Sequence, residues 1–444
     1  MSGDLGGSPG PPVQRADLIA YFEQAALASG PLRIGAEYEW LPVEPQSGRA
    51  RGYSGPAGVE ELLRALLAHG FADPQGAARP IHLQRGETHV NMEPGAQLEL
   101  ASAPVTDLHA LARELEGFAA LAGRLARELG FRLLGHGIQP VSRAEAIEQV
   151  PKRRYAIMVE YFRERGAAHY LDMMRRTAAV QVSLDYTGEQ DAGSKLRAAL
   201  LATPVIQALC ANAPLAEGRP NGLASERVLV WRETDPSRCG PLRVALSGPW
   251  SFERLVDHLL AVPVLHVRAE DGGVAPGRGV PFRELLERGI QGRRAVLADW
   301  ELHLTGIFTD VRLKRVVECR AADALPPVAG VAVPALYTGL LYHAPSRHEA
   351  IELLAPYAAH YDALQIAAAR HGLGAVAPDG RPVRALADEL VRLARAGLAA
   401  RGLGEERYLE PLAERLEAGE GFAELVLRAF RRGGMAAVVE QGAL

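Results

Sequence analysis

Three cysteines in 444 residues are too few and too scattered to staple this chain. Cys210, Cys239 and Cys319 form no Cys-x-x-Cys pair and none stands near a His at zinc-finger spacing, which excludes a zinc ribbon and fits a reducing compartment, the cytoplasm. A basic excess is lacking too: 49 Lys plus Arg face 53 Asp plus Glu, a formal net charge of −4, so nothing in the balance would neutralise a nucleic-acid backbone. No run approaches the roughly 20 uncharged apolar residues that a bilayer-spanning helix needs, so neither nucleic acid nor a membrane is an expected partner. Met1 to Gln14, rich in Gly, Ser and Pro, has no basic segment leading into an apolar one, and residues 1–15 read as a flexible leader. Phosphate-loop and dinucleotide fingerprints are missing, and Gly-x-Ser-x-Gly occurs only at Gly6 to Gly10 in the Gly- and Pro-rich leader, with no strand before it, so the commonest nucleotide and nucleophilic-hydrolase signatures find no support.

What remains is a chain that is 48% hydrophobic, enough for one large core or two ordinary ones. Leu32 to Val43 has strand composition, and Glu37 and Glu39, two apart, face the same way. Gly58 to His69 has helical spacing, Pro80 to Asn91 is extended with a break near Gly86, and Pro94-Gly95 marks a tight turn between two short strands. After that turn Gln97 and Glu99 share one face while Leu98 and Leu100 take the other. Thr106 to Leu129 is an amphipathic helix with Thr106 or Asp107 as N-cap and Gly130 as stop, and Phe131 to Ile138 returns to strand. Lys152 to Arg165 reads as a basic helix, Ala178 to Tyr186 as a half-buried strand and Lys195 to Ala213 as a helix. Arg219 to Gly248 reads as loops. Val311 to Arg320 reads as one charged strand with Arg312, Lys314, Glu318 and Arg320 on one parity, which must line a polar cavity or face water. These patterns divide the chain into a catalytic α+β domain over residues 16–345 and an Ala- and Leu-rich helical subdomain over 346–444.

Two sets of residues could carry chemistry. Glu37, Glu39, Glu93, Glu99 and Glu318 are carboxylates on short strands, and hard-oxygen ligands converging from several strands can hold magnesium beside nucleotide phosphates. The residues alone leave a plain polar face equally open, although two carboxylates as close as Glu37 and Glu39 repel unless a cation intervenes. The second set is Arg175, Arg176, Arg227, Arg312, Lys314 and Arg320, since arginine forks suit carboxylates and phosphates while lysine acts as a mobile point charge. Arg176 and Arg227 each precede an apparent strand. His82, His89, His303 and His343 are scattered and read as packing or surface residues.

At these positions the chain resembles the plant-type, proteobacterial branch of the glutamate–cysteine ligases, within the carboxylate–amine ligase superfamily. The matching segments run in order from IGAEYEW (Ile34 to Trp40) and NMEPGAQLELASAP (Asn91 to Pro104) through KRRYAIMVEYF (Lys152 to Phe162), LDMMRRTAAVQVSLDY (Leu171 to Tyr186) and ANAPLAEGRPNG (Ala211 to Gly222). VWRETDPSRCG (Val230 to Gly240), DWELHLTGIF (Asp299 to Phe308) and VRLKRVVECRAAD (Val311 to Asp323) complete the set. The resemblance implies an α+β, glutamine-synthetase-like fold in which a curved antiparallel β-sheet flanked by helices forms the active-site cleft. It implies an enzyme that uses ATP and Mg2+ to join the L-glutamate γ-carboxylate to the amine of L-cysteine through a γ-glutamyl phosphate, the first step of glutathione biosynthesis. Metal-binding carboxylates then fall on Glu37, Glu39, Glu93, Glu99 and Glu318, and substrate contacts on Arg176, Arg227, Trp231 and Tyr155. Arg312, Lys314 and Arg320 fall on the nucleotide side, Lys314 and Arg320 acting in catalysis. Tyr38, Ala96 and Ser183 stand where the family usually has His, Gly and Asn. Because a related branch makes the same dipeptide for ergothioneine and SRCGP resembles it, another pathway or amine acceptor is the alternative. A monomer or homodimer is expected.

Overall fold

A computed structural model describes residues 10–269, 271–290 and 292–444. Its centre is an eight-stranded antiparallel sheet made of β1 (Ile34–Val43), β2 (His82–Arg85), β3 (Thr88–Met92), β4 (Leu98–Ala101), β5 (Arg132–Leu134), β6 (Ala179–Leu184), β7 (Val311–Leu313) and β8 (Val317–Asp323). The spatial order is β7-β8-β6-β1-β4-β3-β2, with β5 pairing to the far end of β1. Register then assigns the faces. Tyr38 stands opposite Leu100 and Val180, which puts an apolar set on one side, while Glu39 stands opposite Glu99 and Glu37 opposite Gln181, which puts a polar set on the other.

Apolar residues of the sheet join the main core with the helices Glu189–Leu209 and Ala332–Tyr342, while Arg153–Glu164, Tyr170–Arg176 and Glu226–Thr234 bring residues to the polar face. Beyond Ala332 the chain is almost wholly helical, and the layer closes where Gly339 meets Gly397 of the Val383–Arg401 helix, backbone to backbone with no room for a Cβ on either. The expected start of the Thr106–Leu129 helix holds: the helix is Leu108–Glu128, with the Asp107 carboxylate accepting from the Ala110 amide at 2.8 Å.

Several expectations need correction. Of the leader, residues 1–9 lie outside the described residues; Val13 is already tied to Ala295, its amide 2.9 Å from that carbonyl, and a helix begins at Arg15. Arg219 to Gly248 contains the helices Glu226–Thr234 and Arg243–Leu246, the first capped by the Ser225 hydroxyl, so Arg227 sits in a helix. The β-branched Val228 and Val230 suggest a strand, but the Ser225 cap and tertiary packing decide otherwise. Phe131 to Ile138 is a strand only over Arg132–Leu134. Val311 to Arg320 is two strands joined at Lys314–Val316, yet the charged residues still share a face, because Arg312 and Glu318 are direct cross-strand partners. All three cysteines are free and buried.

Candidate active site

Four carboxylates form one wall. Glu37 and Glu39 project from β1, Glu99 faces Glu39 directly across the β1–β4 pair, and Glu93 comes from the turn that ends β3. That turn is tightly built. Gln97 accepts from the Gly95 amide at 2.8 Å and donates to the Thr177 carbonyl at 2.8 Å, and Gly95 lies so near the Arg175 backbone that any Cβ would collide with it. Ala96, where the family favours Gly, occupies the left-handed region at φ 67°. Like charges opposed across a strand pair repel. Burial, then the charge of Glu93, pushes the Glu39 carboxyl up to about 8, even though it accepts hydrogen bonds from the Ala179 amide and Gln181 Nε2, both at 2.9 Å. Burial and then the charges of Glu37, Glu93 and Glu39 hold Glu99 well above the usual carboxylate range, with Asn91 Nδ2 donating to it at 2.8 Å.

The opposing wall is the β7–β8 hairpin, which is cationic. Arg312 grips Glu318 with two parallel hydrogen bonds, Nε to Oε2 at 2.8 Å and Nη2 to Oε1 at 2.7 Å, while Lys314 Nζ stands 3.0 Å and Arg320 Nη1 2.9 Å from the same carboxylate. Burial alone would raise the Glu318 pKa; Arg312, Lys314 and Arg320 overcome it and hold the carboxyl well below its usual range. The register of β8 against β6 slips between Cys319 and Ala322, and this irregularity carries Arg320 to a position where it also donates to Gln181. Its guanidinium lies 5.8 Å from the Trp231 ring centre, and the Trp231 indole N–H is buried with no hydrogen-bond partner.

Between the walls is a polar cavity of about 130 Å³. Glu37, Glu39, Glu93 and Glu99 line one side, Arg154, Arg312, Lys314 and Arg320 the other, with Tyr155, Trp231 and Met158 between them. The structure thus brings together ten of the thirteen anticipated residues in one constellation, nine of them on the cavity surface and Glu318 beneath it, saturated by its three cations. Arg176 and Arg227, expected on the substrate, do not line the cavity. Arg176 ties Asp172 at 2.7 Å to Glu226 at 3.3 Å and the Gln139 carbonyl, and Arg227 donates to the Arg320 carbonyl at 3.1 Å and lies 3.6 Å from Asp323, bracing β8. Arg175 is likewise spent on the carbonyls of Ala144 and Ile147. Tyr155 contributes its ring, since its hydroxyl donates to the Met92 carbonyl at 2.8 Å. Arg154, Gln97 and Gln181 were missed. Arg154 is one of three consecutive basic residues, and only the packing of its helix says which one turns inward.

Among the described residues no three of His, Cys, Asp and Glu converge on a single point that would cage an ion. The donors gathered on this wall are all carboxylate oxygens, the hard ligands that magnesium takes. A larger cavity, about 690 Å³, is lined by Tyr38, Trp40 and Val180 of the sheet and shares Glu39 with the smaller one; none of its other charged residues, Arg113, Glu116, Arg407 and Glu410, lines the smaller cavity.

Comparison with known proteins gives a consistent outcome. A family model described as Glutamate-cysteine ligase family 2 matches residues 33–441. The chain is 35% identical over 424 residues to the chloroplastic glutamate–cysteine ligase of Brassica juncea, covering 94% of this chain and 81% of that protein. Against the chloroplastic glutamate–cysteine ligase of Arabidopsis thaliana it is also 35% identical over 424 residues, covering 94% of this chain and 80% of that one. Among solved structures, a glutamate–cysteine ligase from Francisella tularensis in complex with AMP superposes with a TM-score of 0.52 at 12% identity, over 94% of this chain and 88% of that chain, a likeness of fold.

Proposed function

This chain belongs to Glutamate-cysteine ligase family 2 and joins glutamate to cysteine, and from that premise we propose how its bipolar cavity does so. The reading rests on one juxtaposition: four mutually repelling carboxylates face a cationic hairpin across a single cavity. ATP places its phosphates between these walls, and a γ-carboxylate oxygen of L-glutamate attacks the γ-phosphorus as the bond to ADP breaks, leaving an acyl phosphate. The amine of L-cysteine then attacks the acyl carbon, the carbon–oxygen bond to phosphate breaks, and the amine proton is lost to solvent. Lys314 and Arg320, with Arg312 and Arg154, offset the charge carried by the transferring phosphoryl group. The buried Trp231 N–H offers a donor to a substrate oxygen, and the Tyr155 ring closes the wall beside it. Arg176 and Arg227 act on substrate through the elements they brace.

Glu37, Glu39, Glu93 and Glu99 would hold Mg2+, with Glu318 joining them where phosphate oxygens draw off its cations. Bound there, the metal would neutralise phosphate charge and polarise the phosphorus for attack. The three buried thiols fit a cytoplasmic setting, and we propose a monomer or homodimer that needs no nucleic acid or membrane; among the described residues no helix is long and apolar enough to cross a membrane. The helical segment 346–444 is proposed as a subdomain packed on the catalytic one. Glu93→Gln tests the assignment. ADP formation with glutamate, cysteine and magnesium should fall by about 100-fold or more, with the magnesium requirement raised and the circular-dichroism spectrum unchanged. ADP production at the parent rate and the parent magnesium concentration would exclude it.

A further inference from the structure

We propose that Tyr361 and Gln365, on a helix that contributes no residue to the catalytic cavity, are positioning residues for the phosphoryl transfer: through Asp310 they fix the backbone from which Arg320 projects. The inference rests on the part given to Arg320 in the ligase reading. Arg320 sits where the pairing of β8 with β6 is interrupted, between Cys319 and Ala322. Its peptide is held by other groups. The N–H donates to the Asp310 carbonyl at 3.0 Å, extending the β7–β8 pairing by one residue, and the carbonyl accepts from Arg227 Nη2 at 3.1 Å. Whatever moves Asp310 therefore moves the guanidinium that touches Gln181 and Glu318.

Asp310, the residue before β7, is anchored by its side chain to the helix Tyr361–His371. The Tyr361 hydroxyl donates to its Oδ2 at 2.8 Å and Gln365 Nε2 donates to the same oxygen at 3.1 Å. Both donors are buried, 3% and 1% exposed, and burial pushes the Asp310 carboxyl above its usual range in spite of them. A desolvated carboxylate of this kind adds little net stability, and the attested use of such contacts is to fix register. The same helix also grips the neighbouring side of the cavity: Arg232, next to Trp231 in the helix Glu226–Thr234, donates to Asp362 at 2.8 Å and to Gln365 Oε1 at 2.9 Å. Gln365 thus joins the segment bearing Arg320 to the segment bearing Trp231, whose ring centre lies 5.8 Å from that guanidinium. A misplacement of about 1 Å at a reacting group costs up to about 100-fold in rate, so a tether outside the cavity has something to act on.

A double-mutant cycle on the full chain tests this, read as ADP release with glutamate, cysteine, ATP and magnesium. Tyr361→Phe keeps the ring and deletes one hydroxyl; kcat should fall about tenfold, with each substrate KM within about twofold of the parent and the circular-dichroism spectrum unchanged. Gln365→Met, which removes the longer donor, carries the same test independently and should lower kcat about threefold. Arg320→Gln by itself should lower kcat about 100-fold, and adding Tyr361→Phe to it should cost less than about twofold more, because the group being positioned has gone. A Tyr361→Phe kcat equal to the parent's, an equal loss in both backgrounds, or a change confined to KM would overturn the inference. Arg320→Gln at the parent kcat would instead remove Arg320 from the ligase reading, and the inference with it.

Discussion

Glu99 and Glu318 are the same residue on two strands of one sheet, 8% and 1% exposed, and their carboxyls are driven in opposite directions. Burial penalises the charge on both. At the acidic wall the neighbours are Glu37, Glu93 and Glu39, which add to that penalty; at the hairpin they are Arg312, Lys314 and Arg320, which reverse it. Depth therefore does not decide the state of a carboxylate here. Strand order does, because β4 pairs with a strand carrying two acids while β8 pairs with one carrying Arg312. A sheet polarised in this way keeps acid at one end of a cavity and base at the other, which is what a metal-assisted phosphoryl transfer requires.

The most damaging way to break the contrast is to strip the hairpin of its main cation. Arg312→Met leaves Glu318 short of two hydrogen bonds and abandons the carbonyls of Leu304, Thr305 and Ile307. Urea denaturation should register a loss of about 3–5 kcal/mol, and adding Glu318→Met should recover little of it, since Lys314 and Arg320 then lose the same buried carboxylate. A double variant restored to the parent stability would show that pairing with Glu318 is not what holds these cations.

At the acidic wall the contrast can be titrated. Folding raises the Glu39 pKa from 4.5 to about 8, so the folded chain keeps a proton that the unfolded chain has released. The sign follows directly: this group's stabilising contribution is complete below pH 4.5 and disappears as pH climbs through about 8. Melting temperature measured in chelator should fall over that window, magnesium should flatten the profile, and Glu39→Gln should flatten it without magnesium. A profile identical in the variant would remove Glu39 as its source. The smallest effect is expected where the walls meet. Trp231→Phe deletes one donor N–H while keeping the ring near Arg320, and should raise a substrate KM by about two- to tenfold with kcat little altered, the scale of one hydrogen bond. A changed kcat at constant KM would instead give the indole a part in the chemical step.

Local patterning determined a good deal by itself. The period-2 placement of Glu37 and Glu39, the Pro94-Gly95 turn and the Asp107 cap all survive in the fold, because each depends on neighbours a few residues away, whereas the charged residues from Arg312 to Arg320 share a face through the pairing of a hairpin and not along one strand. Tertiary structure alone decided which arginines reach the cavity. Arg175, Arg176 and Arg227 look as able to bind an anion as Arg154 and Arg320 do, but a guanidinium is committed by whichever acceptor the packed chain sets beside it. The opposite states of Glu99 and Glu318 were beyond local patterning for the same reason: Coulomb interactions depend on distance in space, and strand order brings those partners close from remote parts of the chain.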